Sequence, residues 1–291
     1  MAELSRFIIE KGVMISDGAW GTRLQNKGLG GGSSPESWNI ERPELVEQVA
    51  AEYVEAGAEL IKTNSFGANS FKLETAGLGA RVGEINEIAA ACSRKAAGAA
   101  VYVMGSIGPT GKMLITQEVD EEQLYRAFEE QALALQRGGV DLILVETMSD
   151  LEEARIAVQA AHSATGLEVA CTMTFDRTVT GEYRSMMGIS PAQMAACLPA
   201  AGAALIGSNC GNGIERMITI AAEIRAAAQD VPIVIHANAG MPTLIDGVTT
   251  FPETPEEMAL NLPKLIESGA NIIGGCCGTG PEHIRCMRAV L

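Results

Sequence analysis

The sequence has few of the features that mark membrane, nucleic-acid-binding or secreted proteins. Nowhere does it contain the roughly 18 consecutive apolar residues that a membrane-spanning helix needs. Its 21 basic side chains are outnumbered by 36 acidic ones, which gives a net charge of −15, and they form no basic runs. Such a surface repels polyanions and anionic lipid. We therefore expect no nucleic-acid partner and no membrane partner.

The amino terminus and the cysteines both favour a cytoplasmic protein. Residues 1–12, MAELSRFIIEKG, carry charges within their apolar patch and lack a small-residue cleavage site, so they are not typical of a signal peptide. The seven cysteines are odd in number and follow no disulfide framework, which indicates reduced thiols.

Short β-branched runs alternate with longer, alanine-rich amphipathic stretches along the chain. The runs are continuously apolar, as in parallel strands that are buried on both faces. Strand and helix alternating eight times predict parallel pairing through right-handed crossovers, and eight such units can close into a barrel. We predict an α/β fold in which residues 1–291 form a single (β/α)8 TIM barrel domain. The predicted strands are 13–17, 58–64, 100–106, 140–146, 168–175, 204–209, 232–238 and 271–275.

Local signals mark helix starts and one long loop. Ser149, Ser190 and Thr254 each begin a capping-box pattern, with Glu or Gln three residues later. The glycine- and serine-rich segment 26–37 follows the first strand and is the one low-complexity piece of the chain. Two interpretations of it stay open, a passive insertion and a lid over the active site.

Polar residues collect where the predicted strands end, which is where barrel enzymes carry their active sites. Cys210 follows strand six, and the adjacent pair Cys276 and Cys277 follows strand eight. Neighbouring cysteines are poor disulfide partners, but strands six and eight both flank strand seven, so their loops can meet around one ion. Three thiolates without a fourth protein ligand are typical of a catalytic zinc site with an open position. The sequence therefore predicts a zinc ion bound by these three cysteines.

The other cysteines and the histidines are expected to be structural. A buried free cysteine behaves as a small hydrophobe, and a single histidine on a strand is more often a satisfied core residue than a ligand. His236, in predicted strand seven, could still reach the pocket. The other cysteines and histidines for which we expect a structural role are Cys92, Cys171, Cys197, Cys286, His162 and His283.

Seven segments in order along nearly the whole chain carry a resemblance to a known family. They are DGAWGTRL (17–24), TNSFGAN (63–69), GSIGPTG (105–111), ILVETMSD (143–150), GSNCGNG (207–213), ANAGMP (237–242) and GGCCGT (274–279). These segments resemble the homocysteine S-methyltransferases, and most closely the homocysteine-binding module of cobalamin-dependent methionine synthase. The resemblance implies a zinc-bearing barrel whose zinc thiolates are Cys210, Cys276 and Cys277.

The same resemblance implies how a substrate is held. Asp17 and Glu146 would bind the amino group of homocysteine, and backbone N–H groups around Gly18 and Ala19 would meet its carboxylate. Trp20 would help to shape the pocket. The implied reaction is a zinc-dependent transfer of a methyl group to the homocysteine thiol, which yields methionine.

Several alternatives stay open at this level. The methyl donor is expected to be a methyl-corrinoid (methylcobalamin) on another domain or protein, but a sulfonium or betaine-type donor such as S-methylmethionine or S-adenosylmethionine is an alternative. The acceptor could be a different thiol, and the chain could act alone or as part of a larger enzyme. A zinc-dependent barrel hydrolase or lyase is a remote alternative, because such enzymes usually recruit histidine and carboxylate ligands.

Overall fold

Eight parallel strands form the centre of the protein in a computed structural model, which describes residues 4–245 and 248–291. We number these strands β1 to β8, and they are paired in the order β1-β8-β7-β6-β5-β4-β3-β2. Their bounds are Met14–Ile15, Leu60–Lys62, Tyr102–Ile107, Leu142–Met148, Val169–Met173, Leu205–Gly213, Ile233–Asn238 and Ile272–Gly275.

Hydrogen bonds between β1 and β2 close the sheet on itself. The N–H of Asp17 donates to the carbonyl of Leu60 at 3.0 Å, and the N–H of Glu59 donates to the carbonyl of Ile15 at 2.7 Å. Ser16 and Leu60 form a parallel bridge at the same place. The predicted (β/α)8 barrel is therefore confirmed, with its eight strands in the predicted order.

Helices surround the barrel, and neighbouring members of the outer ring contact one another. The helix Pro191–Cys197 of this ring follows β5, and the helix Leu4–Lys11 precedes the barrel. Two short antiparallel strand pairs lie in the connections after β5 and β7. In the described part of the chain the helices α1 to α12 are Leu4–Lys11, Gly21–Asn26, Trp38–Glu41, Pro43–Glu55, Ser70–Thr75, Val82–Ala97, Glu121–Arg137, Leu151–Thr165, Pro191–Cys197, Ile214–Ala227, Pro255–Glu267 and Pro281–Val290. None of these helices has both the length and the apolar character that crossing a membrane would require.

Two of the three predicted capping boxes are confirmed. Ser190 and Thr254 each accept a hydrogen bond from the backbone N–H three residues later. The prediction at Ser149 is wrong by one residue, because Asp150 is the N-cap of α8 and accepts from the N–H of Glu152 at 2.9 Å. A carboxylate suits this position well, since it also interacts favourably with the positive end of the helix dipole.

The interior of the barrel divides into two layers along the strands. We call the layer at the amino-terminal ends the lower interior; Ile8 of α1 packs against it. It consists of Met14, Leu60, Met104, Leu142, Leu144, Ala170, Leu205, Val234 and Ile272, all essentially without exposure. Buried polar side chains lie two residues further along the same strands, and we call this second layer the upper interior. Its members are Ser16, Lys62, Ser106, Glu146, Thr172 and His236. A two-residue step keeps a side chain on the same face of a strand.

Candidate metal and substrate site

Three cysteine thiols converge at the carboxyl end of the barrel. Cys210 lies in β6, Cys276 and Cys277 directly follow β8, and the three Sγ atoms all lie within 4.8 Å of one another. The Sγ atoms of Cys210 and Cys277 are 4.0 Å apart. Zinc–sulfur bonds of about 2.3 Å in a tetrahedron separate two sulfurs by about 3.8 Å, so this spacing fits a single zinc ion. The three predicted thiols do meet, and the zinc they would bind stays a prediction.

The backbone at Cys210 is held in a conformation that side chains rarely adopt. Its φ is 62°, in the left-handed region, and Gly211 follows with a φ of 70°. A non-glycine residue there costs about 1–2 kcal/mol, and such strain is concentrated at functional sites. The pairing of β6 with β7 shifts register between Asn209 and Gly213, so β6 continues past this distortion. The strained turn therefore presents the Cys210 thiol within the barrel mouth.

Asn209 ties this turn to the end of β4. Its Oδ1 accepts hydrogen bonds from the N–H of Thr147 and the hydroxyl of Thr172, both at 2.8 Å, and its Nδ2 donates to Thr147 Oγ1 at 2.7 Å. Thr147 also has a left-handed backbone, with a φ of 64°. The Asn209 side chain thus links the strained Thr147 on β4 to the residue that directly precedes the strained Cys210 on β6.

The three thiols shift one another's pKa values in opposite directions. Hydrogen bonds from Cys276 and Cys277 lower the pKa of Cys210. The hydrogen bonds with Cys210 raise the pKa of both Cys276 and Cys277. A metal ion bound by the three sulfurs would displace the protons that remain on them.

A cavity of about 380 Å³ opens beside the thiols. This is within the size range of small-molecule sites. Among the residues that line it are the three cysteines and three of the predicted substrate contacts, Gly18, Ala19 and Glu146. Trp20 lines it as well, as predicted, whereas Asp17 is not part of the lining. The predicted site residues therefore lie together at the carboxyl end of the barrel. Asp17 is buried next to the cavity and does not line it.

Glu146 is a buried carboxylate in that wall. Its side chain accepts a hydrogen bond from the hydroxyl of Ser106. Burial raises the pKa of Glu146, while Lys62 and Ser106 act in the opposite direction. In the part of the chain that the structure describes, Glu146 forms no salt bridge, and a buried carboxylate of this kind suits a cationic group such as a substrate ammonium.

The contacts of Asp17 are internal to the protein. Its carboxylate forms an ion pair with Lys62 Nζ, with Oδ1 and Nζ 2.9 Å apart. Its Oδ2 accepts from the indole N–H of Trp20 and from the backbone N–H of Lys62, both at 2.7 Å. The predicted contact between Asp17 and a substrate amino group stays a prediction.

Lys62 is a site residue that was missed at the sequence level. It is 6% exposed and lines the cavity. A signal was present, because a lysine in the apolar run AELIKTN is out of place in a strand buried on both faces. Such a residue is tolerated only with a partner, and the sequence gives no direct indication that the partner is Asp17.

Ala19 is already engaged through its backbone. Its N–H donates to the carbonyl of Thr279 at 3.2 Å and to the Thr279 hydroxyl at 3.1 Å, and its carbonyl accepts from the hydroxyl of Tyr53 at 2.7 Å. At Gly18 a Cβ would come within 2.7 Å of the Thr279 hydroxyl, so glycine is needed for this close approach. Ala19 could meet a substrate carboxylate only by giving up its bonds to Thr279.

The end of segment 26–37 forms part of the cavity wall. Pro35 and Glu36 line the cavity, and Glu36 is buried, accepting from the N–H of Gly67 at 2.6 Å. The segment is thus anchored to the loop after β2. Whether it opens and closes as a lid stays a hypothesis.

The histidines stay apart from the thiols. His236 is fully buried, forms a 2.8 Å hydrogen bond between its Nε2 and the hydroxyl of Ser16, and does not line the cavity. His162 lies in α8, and His283 accepts from the N–H of Gly280 at the start of α12. Over residues 4–245 and 248–291, the three cysteines are the one group of three or more metal-binding side chains.

Known proteins include sequences that are similar to this chain. The family profile described as homocysteine S-methyltransferase matches residues 14–291. The methionine synthases of Mycobacterium leprae (strain TN) and Mycobacterium tuberculosis (strain ATCC 25618 / H37Rv) are each 32% identical to this chain, over 96% and 98% of its length. The chain spans about a quarter of the length of these curated relatives, 24% and 25%.

A solved structure supports the fold. The metallated form of the homocysteine methyltransferase MmuM from Escherichia coli superimposes with a TM-score of 0.81, covering 98% of this chain and 99% of that chain. The sequence identity is 23%, so this likeness bears on the barrel architecture alone.

Proposed function

We propose that this chain, which belongs to the homocysteine S-methyltransferase family, transfers a methyl group to the thiol of L-homocysteine to form L-methionine. The single observation that carries the proposal is the meeting of Cys210, Cys276 and Cys277 beside a cavity that also contains Glu146. Three sulfur ligands for a metal ion suit an acceptor with a thiol, and the neighbouring carboxylate suits an acceptor with an ammonium group.

The three cysteines would bind the zinc ion. Bound there, zinc would hold the acceptor sulfur as a thiolate at neutral pH, where a free thiol is only a few per cent ionised. This change raises the reactive population roughly thirtyfold, which corresponds to about 2 kcal/mol. The cysteine sulfurs contribute three negative charges, so that the site with its ion carries a charge of about −1 and the acceptor sulfur stays electron-rich.

The remaining residues would orient the acceptor. Glu146 would accept a hydrogen bond from the ammonium group of the substrate, and the strained turn at Cys210 would hold one sulfur ligand beside the cavity. The acceptor sulfur then attacks the methyl carbon in line with the leaving group; a carbon–sulfur bond forms as the bond between the methyl group and its donor breaks. Orientation of this kind supplies a large part of the rate advantage in displacement reactions.

For the methyl donor we propose a methyl-corrinoid carried by another domain or protein. The support is the similarity of this chain to methionine synthases that are about four times as long as the matched region. The likeness of its motifs to the cobalamin-linked branch of the family agrees with this choice.

An activity panel tests the proposal. Zinc-loaded protein is incubated with L-homocysteine and, separately, with methylcobalamin, S-methylmethionine, S-adenosylmethionine or betaine, and methionine is quantified by mass spectrometry. We expect methionine from at least one donor, methylcobalamin first among them, and its loss on chelation. Calorimetry with homocysteine alone is the matched binding measurement. A zinc-loaded protein that binds no homocysteine and forms no methionine with any donor would contradict the proposal.

A further inference from the structure

The side chain of Asn209 faces one of the three sulfurs as well as the end of β4. Asn209 is fully buried, and its Nδ2 lies 3.9 Å from the Sγ of Cys276. Hydrogen bonds to sulfur are longer than those to oxygen, because sulfur is the larger atom. The amide therefore lies where one of its N–H groups can reach a sulfur that would bind the metal ion.

The neighbours of Asn209 determine which end of its amide faces Cys276. The backbone N–H of Thr147 can only donate, so the amide atom that lies 2.8 Å from it must be the oxygen. The hydroxyl of Thr172 donates to the same oxygen, also at 2.8 Å. The NH2 group is therefore on the side of the sulfur, and this orientation follows from the hydrogen-bond network.

The NH2 group of Asn209 has one N–H for each of two acceptors. One acceptor is Thr147 Oγ1, at 2.7 Å, and the other is the Sγ of Cys276. A buried N–H without an acceptor is costly, so the contact with sulfur completes the hydrogen bonding of the amide. A thiolate is a stronger acceptor than a thiol, because a hydrogen bond to a charged atom is the stronger one. The contact thus favours the form of Cys276 that binds a metal ion.

The distortion of β6 brings Asn209 and Cys210 to the same side of the strand. In a regular strand successive side chains point to opposite faces. Leu205 belongs to the lower interior, so Asn209, four residues later, faces the inside of the barrel as well. The left-handed backbone of Cys210 interrupts the alternation, and its Sγ lies 4.0 Å from that of Cys277. The strained turn therefore places one sulfur ligand beside an amide that faces another.

A second N–H group in this turn faces a sulfur. The backbone N–H of Gly211 donates to the sulfur of Cys210. Three thiolates around one zinc ion leave a charge of about −1 at the site. Hydrogen-bond donors around metal ligands orient the ligands and modulate their charge. Asn209 is placed to do this for Cys276.

We propose that Asn209 is a positioning residue of the metal centre, which donates its second amide N–H to the sulfur of Cys276 and so orients that ligand and disperses part of its negative charge. The proposal rests on the proposed function, because it concerns the metal ion that the reaction requires. It assigns the amide a role in the electronic character of the metal site, in addition to its link to Thr147.

The hydrogen bond is tested first in the unmodified protein. The protein is loaded with an NMR-active isotope of cadmium, which binds to thiolate ligands as zinc does. A hydrogen bond to a metal-bound sulfur transmits a spin coupling between the amide proton and the metal nucleus. We expect one side-chain amide proton of Asn209 to show this coupling. The measurement needs neither homocysteine nor a methyl donor.

Two variants test the effect on the sulfur. Asn209→Asp keeps an oxygen that accepts from the N–H of Thr147 and the hydroxyl of Thr172, but it replaces the N–H that faces Cys276 with a carboxylate oxygen. Thr172→Val is the matched control, because it removes one hydrogen bond of the same amide and leaves that N–H in place.

Both variants are loaded with cobalt(II), whose sulfur-to-metal charge-transfer bands report the electron density on the thiolates. Loss of the donated N–H makes the sulfur more electron-rich, so we expect the bands of Asn209→Asp to shift to longer wavelength. The bands of Thr172→Val should stay where they are in the unmodified protein. The cadmium coupling should persist in Thr172→Val and be absent from Asn209→Asp.

The other outcomes count against the role of Asn209 or against the metal site itself. If the unmodified protein binds none of zinc, cadmium and cobalt, the ligand assignment in the proposed function fails, and this result is seen before any variant is made. If cadmium binds but Asn209 shows no coupling, the amide only anchors Thr147, and the role proposed for Asn209 fails alone. This measurement decides the question even if Asn209→Asp does not fold. Equal band shifts in the two variants would likewise assign Asn209 a purely structural role.

Discussion

The lower and upper interiors of the barrel are built by the same strands and yet differ in almost every chemical respect. On β2, Leu60 belongs to the lower interior and Lys62 to the upper one; on β4, Leu144 is followed in the same way by Glu146. Two residues along a strand, about 7 Å, separate an apolar core from buried charges. The barrel therefore confines charged and polar side chains to the end at which its loops can reach a ligand.

The difference shows what each layer contributes. Apolar side chains in the lower interior stabilise the fold by burial alone, at about 25 cal/mol per Å². Each polar side chain in the upper interior needs a partner, because an unpaired one costs several kcal/mol. Partners are present: Asp17 for Lys62, and Ser106 for Glu146. We expect substitutions in the upper interior to change binding and chemistry, and substitutions in the lower interior to change stability.

The largest expected effect is on the thiols above the upper interior. Cys277→Ala removes one of three sulfur ligands, so we expect bound zinc to fall from about one ion per chain to near zero and methyl transfer to fall by about a thousandfold, equivalent to about 4 kcal/mol. Elemental analysis and the methionine assay measure the two quantities. Cys171→Ala is the matched control, because Cys171 is a buried thiol within β5, outside the thiol cluster. Full zinc occupancy in Cys277→Ala would contradict the ligand assignment.

The barrel and the thiol cluster could be predicted for the same physical reason. Parallel strands buried on both faces are continuous apolar runs, so their number and order are visible in the sequence. Since the carboxyl ends of parallel strands share one edge, cysteines after strands six and eight must come close. Neither inference depends on details of side-chain packing.

The contacts of Asp17 and Ala19 could not be predicted in this way. The ion pair between Asp17 and Lys62 joins β1 to β2 across the closure of the barrel, and it depends on a register that the sequence does not specify. The hydrogen bond from Ala19 to Thr279 joins residues that are 260 positions apart. The register shift at Asn209 is similarly a result of tertiary packing, so the end of β6 lies beyond the predicted position.

The next largest effect is expected in the lower interior. Leu144→Ala should lower the free energy of unfolding by about 2–4 kcal/mol, because it leaves a cavity among fully buried apolar side chains. The kcat and KM of the folded protein should change by less than about twofold. Urea denaturation gives the stability, and Leu260→Ala is the control, since Leu260 is 77% exposed. If Leu144→Ala changed KM but not the free energy of unfolding, the proposed difference between the lower and upper interiors would be wrong.

A smaller effect, on substrate binding, is expected at Glu146, two residues after Leu144 on β4. Glu146→Gln should raise the KM for homocysteine about thirtyfold, equivalent to about 2 kcal/mol, because the substrate ammonium loses its anionic partner. The kcat should change little. With 4-mercaptobutanoate, which lacks the amino group, the substitution should leave binding unchanged, and calorimetry measures both ligands. Equal losses for the two ligands would assign Glu146 a structural role.

The smallest effect concerns a buried carboxylate outside the barrel interior, Glu153 of α8. Its Oε1 accepts from the N–H and the hydroxyl of Thr110, at 2.8 and 2.6 Å. Burial nevertheless raises the pKa of Glu153. A group whose native pKa is raised stabilises the fold at low pH and loses that contribution as the pH rises through the native pKa. Glu153→Gln keeps the accepting oxygen, so it should increase the free energy of unfolding above about pH 6, by up to about 1 kcal/mol, and the gain should shrink toward pH 4.

The adjacent Glu152 provides the control of opposite sign. Its hydrogen bonds from Arg155 lower its pKa, so its stabilising contribution is present at neutral pH and is lost as the pH falls. Glu152→Gln should therefore be slightly destabilising at neutral pH, and the loss should shrink as the solution is made more acidic. Urea denaturation of both variants from about pH 4 to about pH 8 compares them directly. If both curves moved in the same direction with pH, burial could not be what distinguishes the two carboxylates. The free-energy cost that we assign to an unpaired charge in the upper interior would then lose its support as well, because that cost is also attributed to the burial of a charged group.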